Sequence, residues 1–436
     1  MRTGDGPRLP GAPDEEGPDR VVCHVDMDCF YAACERLREP GLEGEPLVVG
    51  MGYEEGESHG AVATASYEAR GFSVESAMPI SEALDLLPRR ADVEDGAESE
   101  DGRDGEDDED SRDARIEETG HYRPVDMAYY ESVAEDVKGI LHDVPGTVRE
   151  VSIDEAYLDV TPVGWDGAES FAVDLKGRIE REVGVVASVG VAPNMSAAKI
   201  ASDHDKPDGL VAVRPGEVRE FLAPLDVEAL HGVGPVTARE LRDMGVETAG
   251  DLAATDPRRL TERFGERGRA LHERASGRDD RPVEPQGDPK SLSSESAFVE
   301  ATADPDRKRE KVRDLAASVA DRARSRGALY KTIGVKVVTP PFDVNTRERS
   351  LPGPVDDPDL VERVALELLA EFADERVRKL GVRVSNLEFG GEQAKLGTYA
   401  DGSTDAGTDT RSGDERGDAG VDRSRRGQTT FGDFDG

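Results

Sequence analysis

An α+β fold in several domains is what this sequence predicts, and three observations carry the prediction. First, 436 residues exceed one ordinary core, since domains run to roughly 100–200 residues. Second, strand-like apolar runs and stretches of helical spacing alternate over residues 20–216, with hairpins that suit a mostly antiparallel sheet. Third, the pattern turns wholly helical from 217 to 280, and after a linker over 281–290 it reads strand, helix, strand, strand, helix, strand over 291–390.

The elements follow in order. Residues 1–19, rich in Gly, Pro and charge, read as a disordered tail. "RVVCHVDMDCFYAACERL" runs from a strand straight into a helix, "EPLVVGMG" is a second strand, and "HGAVATASYEARGF" gives a third strand and a helix. Residues 91–120 hold three bases, Arg103, Arg112 and Arg115, among many acids and read as a disordered, solvated insertion. Order resumes at "DMAYYESVAEDVKGILHDV", a helix leading into the strand hairpin that contains "VSIDEAYLDV". "SFAVDLKGRIEREVG" is helical and "VVASVGVAP" is a strand. Residues 391–427 form a flexible tether, and 428–436 a last short segment.

A net charge of −39 and a pI near 4.5 ordinarily argue against a nucleic-acid partner. Here the acids are spread through the whole chain and Lys is scarce beside Arg, the bias of proteins that work in molar salt. At that salt the Debye length is about 3 Å, so net charge says little about partners. No apolar run approaches the roughly 20 residues of a membrane span, and the N-terminus lacks a signal-peptide core. A cytoplasmic, monomeric protein is expected. Cys23, Cys29 and Cys34 lie close together, but their spacing fits no common zinc motif and buried thiols are expected.

Asp154 and Glu155 stand side by side in an apolar strand pattern, and burying them is costly unless cations compensate. Asp26 ends the first strand, with Asp28 two residues on. If that strand lies beside the hairpin, Asp26, Asp154 and Glu155 converge, and clustered hard oxygen donors suit Mg²⁺ bound together with substrate phosphates. Two such ions clamp the attacking and leaving oxygens of an in-line phosphoryl transfer. Tyr67 and Arg70, three apart at a helix start, can face one phosphate, and Lys206 in a loop after another helix can serve as a point charge. Together with the acids they make a triphosphate site.

"VDMDCFYAACE", "AVATASYEAR", "SIDEAYLD", "AKIASDHDKPDGL" and "LHGVGPVTARELRDMG" occur in the order and spacing of the Y-family DNA polymerases, and the sequence resembles their DNA polymerase IV (DinB) branch over roughly residues 20–390. The resemblance implies a right hand: palm and fingers within 20–216, a helical thumb with a helix–hairpin–helix over 217–280, and an α+β little finger over 291–390. It implies that Asp26, Asp154, Glu155 and the Met27 carbonyl bind two Mg²⁺, while Asp28 matches a residue that does not normally bind metal. Tyr67, Arg70 and Lys206 would hold a deoxynucleoside triphosphate, and Tyr31 matches the steric gate against a 2′-hydroxyl. Ala61, Ala63 and Ala77 match an open floor over the nascent base pair, which tolerates damaged templates at a cost in fidelity.

In the helix–hairpin–helix, Gly232 and Gly234 let the backbone approach a DNA phosphate closely, and Pro235 suits the first turn of the second helix. The little finger carries Arg307, Lys308, Arg309 and Lys311 on one helix, expected to contact phosphates. In its last strand the alternation puts Lys379 and Arg383 on one face. Gln428, Phe431 and Phe434 lie three apart, so one 3₁₀ turn would stack them. That segment resembles a peptide that binds the sliding clamp, although Asp435 stands where a second aromatic usually does. The expected partners are therefore primer-template DNA, deoxynucleoside triphosphates and a clamp, with no membrane. No segment outside the matched regions is left for a proofreading exonuclease. Two rival readings are a palm-type nucleotidyl cyclase, which needs no DNA, and a silent scaffold binding DNA and clamp, which needs none of the three acids.

Overall fold

A computed structural model of the chain describes residues 20–93 and 118–389. The tail expected at 1–19, most of the acidic insertion expected at 91–120, the tether at 391–427 and the clamp peptide with Gln428, Phe431 and Phe434 lie outside the described residues. The chain divides into two compact units that part between Gln286 and Gly287.

The first unit opens with β1 (Val22–Met27) and α1 (Phe30–Arg38). The chain then leaves for a small sheet of β2 (Leu47–Met51), β3 (Ala61–Ala65) and β4 (His121–Pro124), which carries α2 (Tyr67–Gly71) and α3 (Ile80–Leu86). It returns through α4 (Met127–His142), β5 (Thr147–Glu150), β6 (Glu155–Asp159), α5 (Trp165–Val183), β7 (Ala187–Ala192), α6 (Met195–His204) and β8 (Leu210–Ala212). The main sheet has the order β5-β6-β1-β7-β8 and is antiparallel except for the β7–β8 pair.

β1 is central and buried on both faces, and four of its six residues are apolar. Cys23, Val25 and Met27 join a core with Tyr130, Val133 and Val137 of α4 and Leu175 and Ile179 of α5. Val22, His24 and Asp26 alternate to the other face, against α6. α6 lies almost on the sheet at Gly190, where an added Cβ would meet the Ala198 carbonyl oxygen at 2.0 Å. That close approach lets helix side chains reach the acids. The three cysteines are free and buried, as the sequence suggested.

In the small sheet β2 pairs with β3 antiparallel and with β4 parallel. β4 was not expected from the sequence, because a four-residue "HYRP" ending in Pro gives almost no periodic signal. The helical stretch forms α7 (Val218–Leu222), a 3₁₀ turn (Val227–Ala229), α8 (Pro235–Asp243), α9 (Ala249–Ala254), α10 (Pro257–Phe264) and α11 (Glu266–Ala275). Its core continues into Val22, Tyr157 and Ala192 of the main sheet, so palm and helical region share one apolar cluster. The linker expected from 281 begins later than its composition suggests, since Val283 is buried in that same cluster.

The second unit follows the expected order: β9 (Ser291–Thr302), α12 (Pro305–Ser325), β10 (Ala328–Thr339), β11 (Asp343–Val355), α13 (Pro358–Leu369) and β12 (Val377–Phe389). Its antiparallel sheet has the order β11-β10-β12-β9, and α12 and α13 bury apolar stripes against it. Lys308 departs from the expected cationic surface. It is 1% exposed and its ammonium donates to the carbonyls of Phe372, Ala373 and Glu375 at 3.0, 2.6 and 3.0 Å. All three donors of the ammonium are thus used to cap a chain reversal.

Candidate active site

The sequence pattern placed Asp154 and Glu155 inside a strand, but β6 begins at Glu155, and 151–154 form the turn out of β5. The acids therefore stand at the rim of the sheet. Glu155 is the register partner of Asp26, and the Met27 amide donates to the Asp154 carbonyl at 3.0 Å. Asp26 is 6% exposed. The Asp154 carboxylate is held by the Ser152 hydroxyl at 2.5 Å.

The compensating charge comes from α6 and the loop after it. Lys206 Nζ is 2.5 Å from Asp26 Oδ1 and 3.0 Å from Asp203 Oδ1. Lys199 Nζ is 2.8 Å from Glu155 Oε1, 3.6 Å from Asp26 Oδ2 and 3.7 Å from Asp203 Oδ2. Behind them, fully buried His24 places Nε2 3.8 Å from Glu155 Oε2, with Nδ1 2.7 Å from the Ser202 hydroxyl.

Burial pushes Asp26 up to about 7 against the pull of Lys206, and burial also raises Asp154 against the Ser152 hydroxyl. Burial acts on Glu155 too, but the His24 ring and Lys199 ammonium outweigh it and hold that carboxyl below the usual range. For both lysines burial works against the charge, and the surrounding carboxylates nonetheless keep the ammoniums protonated above their ordinary value. Carboxylate oxygens from Asp26 and Glu155 lie close enough to share a cation, and His24 Nε2 lies in the same group. These hard oxygen donors fit a divalent cation of the Mg²⁺ or Mn²⁺ kind.

Asp28 does a different job. It accepts from the Ser188 hydroxyl at 2.9 Å, the Tyr67 hydroxyl at 3.2 Å and the Asp208 amide at 2.8 Å. One buried carboxylate thereby ties β1, β7, α2 and the Lys206 loop together, which brings Tyr67 and Lys206 to one place. Arg70 stands beside them, its guanidinium 4.8 Å above the Tyr67 ring and its Nε donating to the Ala65 carbonyl at 3.1 Å. Tyr31 lies at the start of α1, stacked on Tyr130. Ala61 and Ala63 share one face of β3, and Ala77 joins that strand through its amide to the Val62 carbonyl at 2.8 Å.

The other nominated residues fall on the helical region of the first unit and on the sheet of the second. Gly232, at φ +91°, and Gly234, the N-cap of α8, form the hairpin before that helix, and Pro235 occupies its first position as expected. The first arm of this motif is a 3₁₀ turn rather than a full helix. The Gly232 carbonyl accepts from Arg267 at 2.8 Å and the His231 carbonyl from Arg274 at 3.0 Å. In the second unit Lys379 and Arg383 do share a face of β12, opposite Ala297 and Ser293 of β9.

Sequence reasoning missed Lys199, His24, Ser202, Ser188 and Ser152. Lys199 and Ser202 could have been paired by their i, i+3 spacing on α6. His24 precedes Asp26 by two in a strand and so shares its face.

Comparison with known proteins agrees with this architecture. Residues 25–203 match the impB/mucB/samB family model, 215–246 the HHH motif of that family and 289–396 its C-terminal domain. DNA polymerase IV of Halobacterium salinarum is 58% identical over 95% of this chain and 93% of that protein. DNA polymerase IV of Methanoculleus marisnigri is 40% identical over 85% and 95%. Among solved structures, a Y-family DNA polymerase chimera superposes with a TM-score of 0.71 at 27% identity, over 85% of this chain and all of that one. DinB from Sulfolobus solfataricus gives 0.54 at 27% identity over the same shares.

An acid-rimmed antiparallel palm, flanked by lysines and joined to a helical region with a glycine hairpin, defines a polymerase of the right-handed kind. The chain belongs to the Y family of DNA polymerases, in the DNA polymerase IV (DinB) branch, and is a DNA-directed DNA polymerase. Enzymes of this family depend on divalent metal, and the acidic cluster is compatible with that. Among the described residues no helix is long and apolar enough to cross a membrane.

Proposed function

We propose that this polymerase is a low-fidelity translesion enzyme, adding deoxynucleotides to a primer 3′ end by a two-metal mechanism, without proofreading, in DNA repair and damage tolerance. The observation that carries the reading is the register pair of Asp26 and Glu155 at the palm rim, met by Lys206 and Lys199. Asp26, Asp154, Glu155 and the Met27 carbonyl would hold two Mg²⁺, which when bound would supply positive charge for the attacking and leaving oxygens.

This chain's own residues do the rest. Lys206, Tyr67 and Arg70 take the triphosphate, and Lys206 must exchange Asp26 for phosphate when the nucleotide arrives. The Asp28 bridge keeps the Lys206 loop beside Tyr67 during that exchange. Tyr31 closes the space that a 2′-hydroxyl would need. Ala61, Ala63 and Ala77 leave the nascent pair uncrowded, which supports bypass and lowers fidelity. Gly232 and Gly234 present backbone to a DNA phosphate, and Lys379 and Arg383 add phosphate contacts from the little finger.

Primer extension on a plain template in molar KCl with Mg²⁺ tests the reading, comparing the intact protein with Asp154→Ala/Glu155→Ala. Extension should be lost by a factor of about 10³ or more in the double variant, as expected when transition-state charge stabilisation is removed. DNA binding without extension by the intact protein would favour the scaffold instead.

A further inference from the structure

The face of the second unit's sheet that carries Lys379 and Arg383 also holds an acid at its centre. Register places Glu295 of β9 beside Gly381 of β12, which sits beside Lys336 of β10. Lys336 Nζ is 2.9 Å from Glu295 Oε1, and Lys379 Nζ pairs with Glu295 Oε2. Gly381 makes room for this arrangement, since an added Cβ would lie 2.8 Å from Glu295 Cγ. The carboxylate side chain is 14% exposed, whereas Glu371, Glu367 and Glu388 pair singly with Arg347, Arg349 and Lys331 and stay about half exposed. Around it stand Ser293 and Arg383, with Glu348 opposite Gly334 on the next row. One carboxylate, seated over a glycine and gripped by two ammoniums, has the charge and the contacts of a bound phosphate.

We propose that Glu295 is a built-in competitor for DNA phosphate on this sheet: it occupies Lys336 and Lys379 in the free protein, and DNA must displace it from them. The inference rests on the reading that the Lys379–Arg383 face contacts DNA. Displacement exchanges an internal ion pair for an external one, so the face gains less from counterion release than two unpaired lysines would. Glu295 thus weakens the grip at low salt and flattens its salt dependence. A polymerase that binds through such a face keeps a similar hold on DNA over a wide range of salt and releases it readily.

The test is fluorescence anisotropy of the full-length protein on primer-template DNA between about 0.2 and 1 M KCl. Glu295→Gln keeps the shape and removes the charge. It should bind about 4- to 20-fold more tightly at the lowest salt, with a slope of log Kd against log[KCl] steeper by about one to two units, the gain fading towards 1 M. Glu295→Ser, which copies the serines on either side of it in β9, should show the same trend and covers the case in which the glutamine packs badly. Lys336→Ala and Lys379→Ala should each weaken binding. If those lysine variants bind as the parent does at every salt, the face does not contact DNA and the proposal falls with that reading. If they weaken binding while both Glu295 variants bind no better than the parent, the face contacts DNA and Glu295 is no competitor.

Discussion

Tyr31 lies flat on Tyr130, with ring centroids 4.7 Å apart and planes 15° apart, and the Tyr130 hydroxyl donates to the buried Glu35 at 2.7 Å. If Tyr31 is the gate proposed above, its backing is an aromatic ring pinned by a carboxylate. Tyr31→Ala should therefore admit ribonucleotides, with discrimination against them falling at least tenfold, of the order a pocket loses when bulk is removed; single-nucleotide incorporation of rNTP against dNTP measures it. Tyr130→Phe keeps the ring but removes the hydroxyl from the buried Glu35 and leaves it Arg38 at 3.7 Å, so it should cost about 1–3 kcal/mol of stability in a denaturation curve and blur the same discrimination less. At this scale the sequence disclosed the residues whose chemistry is unusual for their place, such as Asp26, Glu155 and Lys206. It did not disclose Lys199, His24 or Ser202, because their roles arise only once α6 lies on Gly190 and β1 pairs with β6. Lys308 misled for the converse reason: a lysine in a basic run looks like surface until the carbonyls it caps, some 65 residues away, are in place.

Among the elements, the hairpin before α8 offers a pH test. His231 is half-buried, and burial together with the positive charge of Arg274 lowers its pKa to about 4. The native hairpin thus binds fewer protons than the unfolded chain, whose His titrates near 6.5, everywhere between those two values. Stability contributed by the neutral ring is full above about pH 6.5 and is lost as pH falls towards 4. The full shift would be worth about 3 kcal/mol, and partial exposure of the ring reduces this to roughly 1–2 kcal/mol. Melting the parent and His231→Gln between pH 7 and 4.5 should show the parent losing more; parallel curves would mean that the ring titrates normally. Elements with long periodic stretches, such as α4, α12 and β10, were legible in the sequence. β4 and the true start of β6 were not, since a four-residue strand and a strand-edge turn are fixed by their partners in register rather than by their own pattern.

At the scale of the whole molecule, the order of the domains could be read from the sequence because each changes the periodicity of the pattern, and the parting between Gln286 and Gly287 falls inside the linker read over 281–290, although Val283 near its start still belongs to the helical core. The acidic segment interrupts this architecture at one point. Its flanks are pinned together: Arg89 bridges Gly120, the Arg90 amide donates to the Gly120 carbonyl at 2.9 Å, the Gly120 amide donates to the Pro88 carbonyl at 2.9 Å, and Arg90 Nε donates to the Thr119 hydroxyl at 3.2 Å. The chain therefore leaves and re-enters the fingers at one place, and closing it with a short Gly-Ser turn adds no strain to β4. Loop-closure entropy changes only slowly with length, by about 0.6 kcal/mol per doubling, so shortening should be neutral or slightly stabilising. Replacing residues 94–117 by such a turn should leave the melting temperature and primer extension in molar salt nearly unchanged. Lower ionic strength sharpens the test, because the removed charge is net negative, 13 acids against three arginines, and its repulsion of DNA is screened at high salt. There the shortened protein should bind primer-template DNA more tightly than the parent, and a loss of binding or extension instead would give the segment an active part in the reaction.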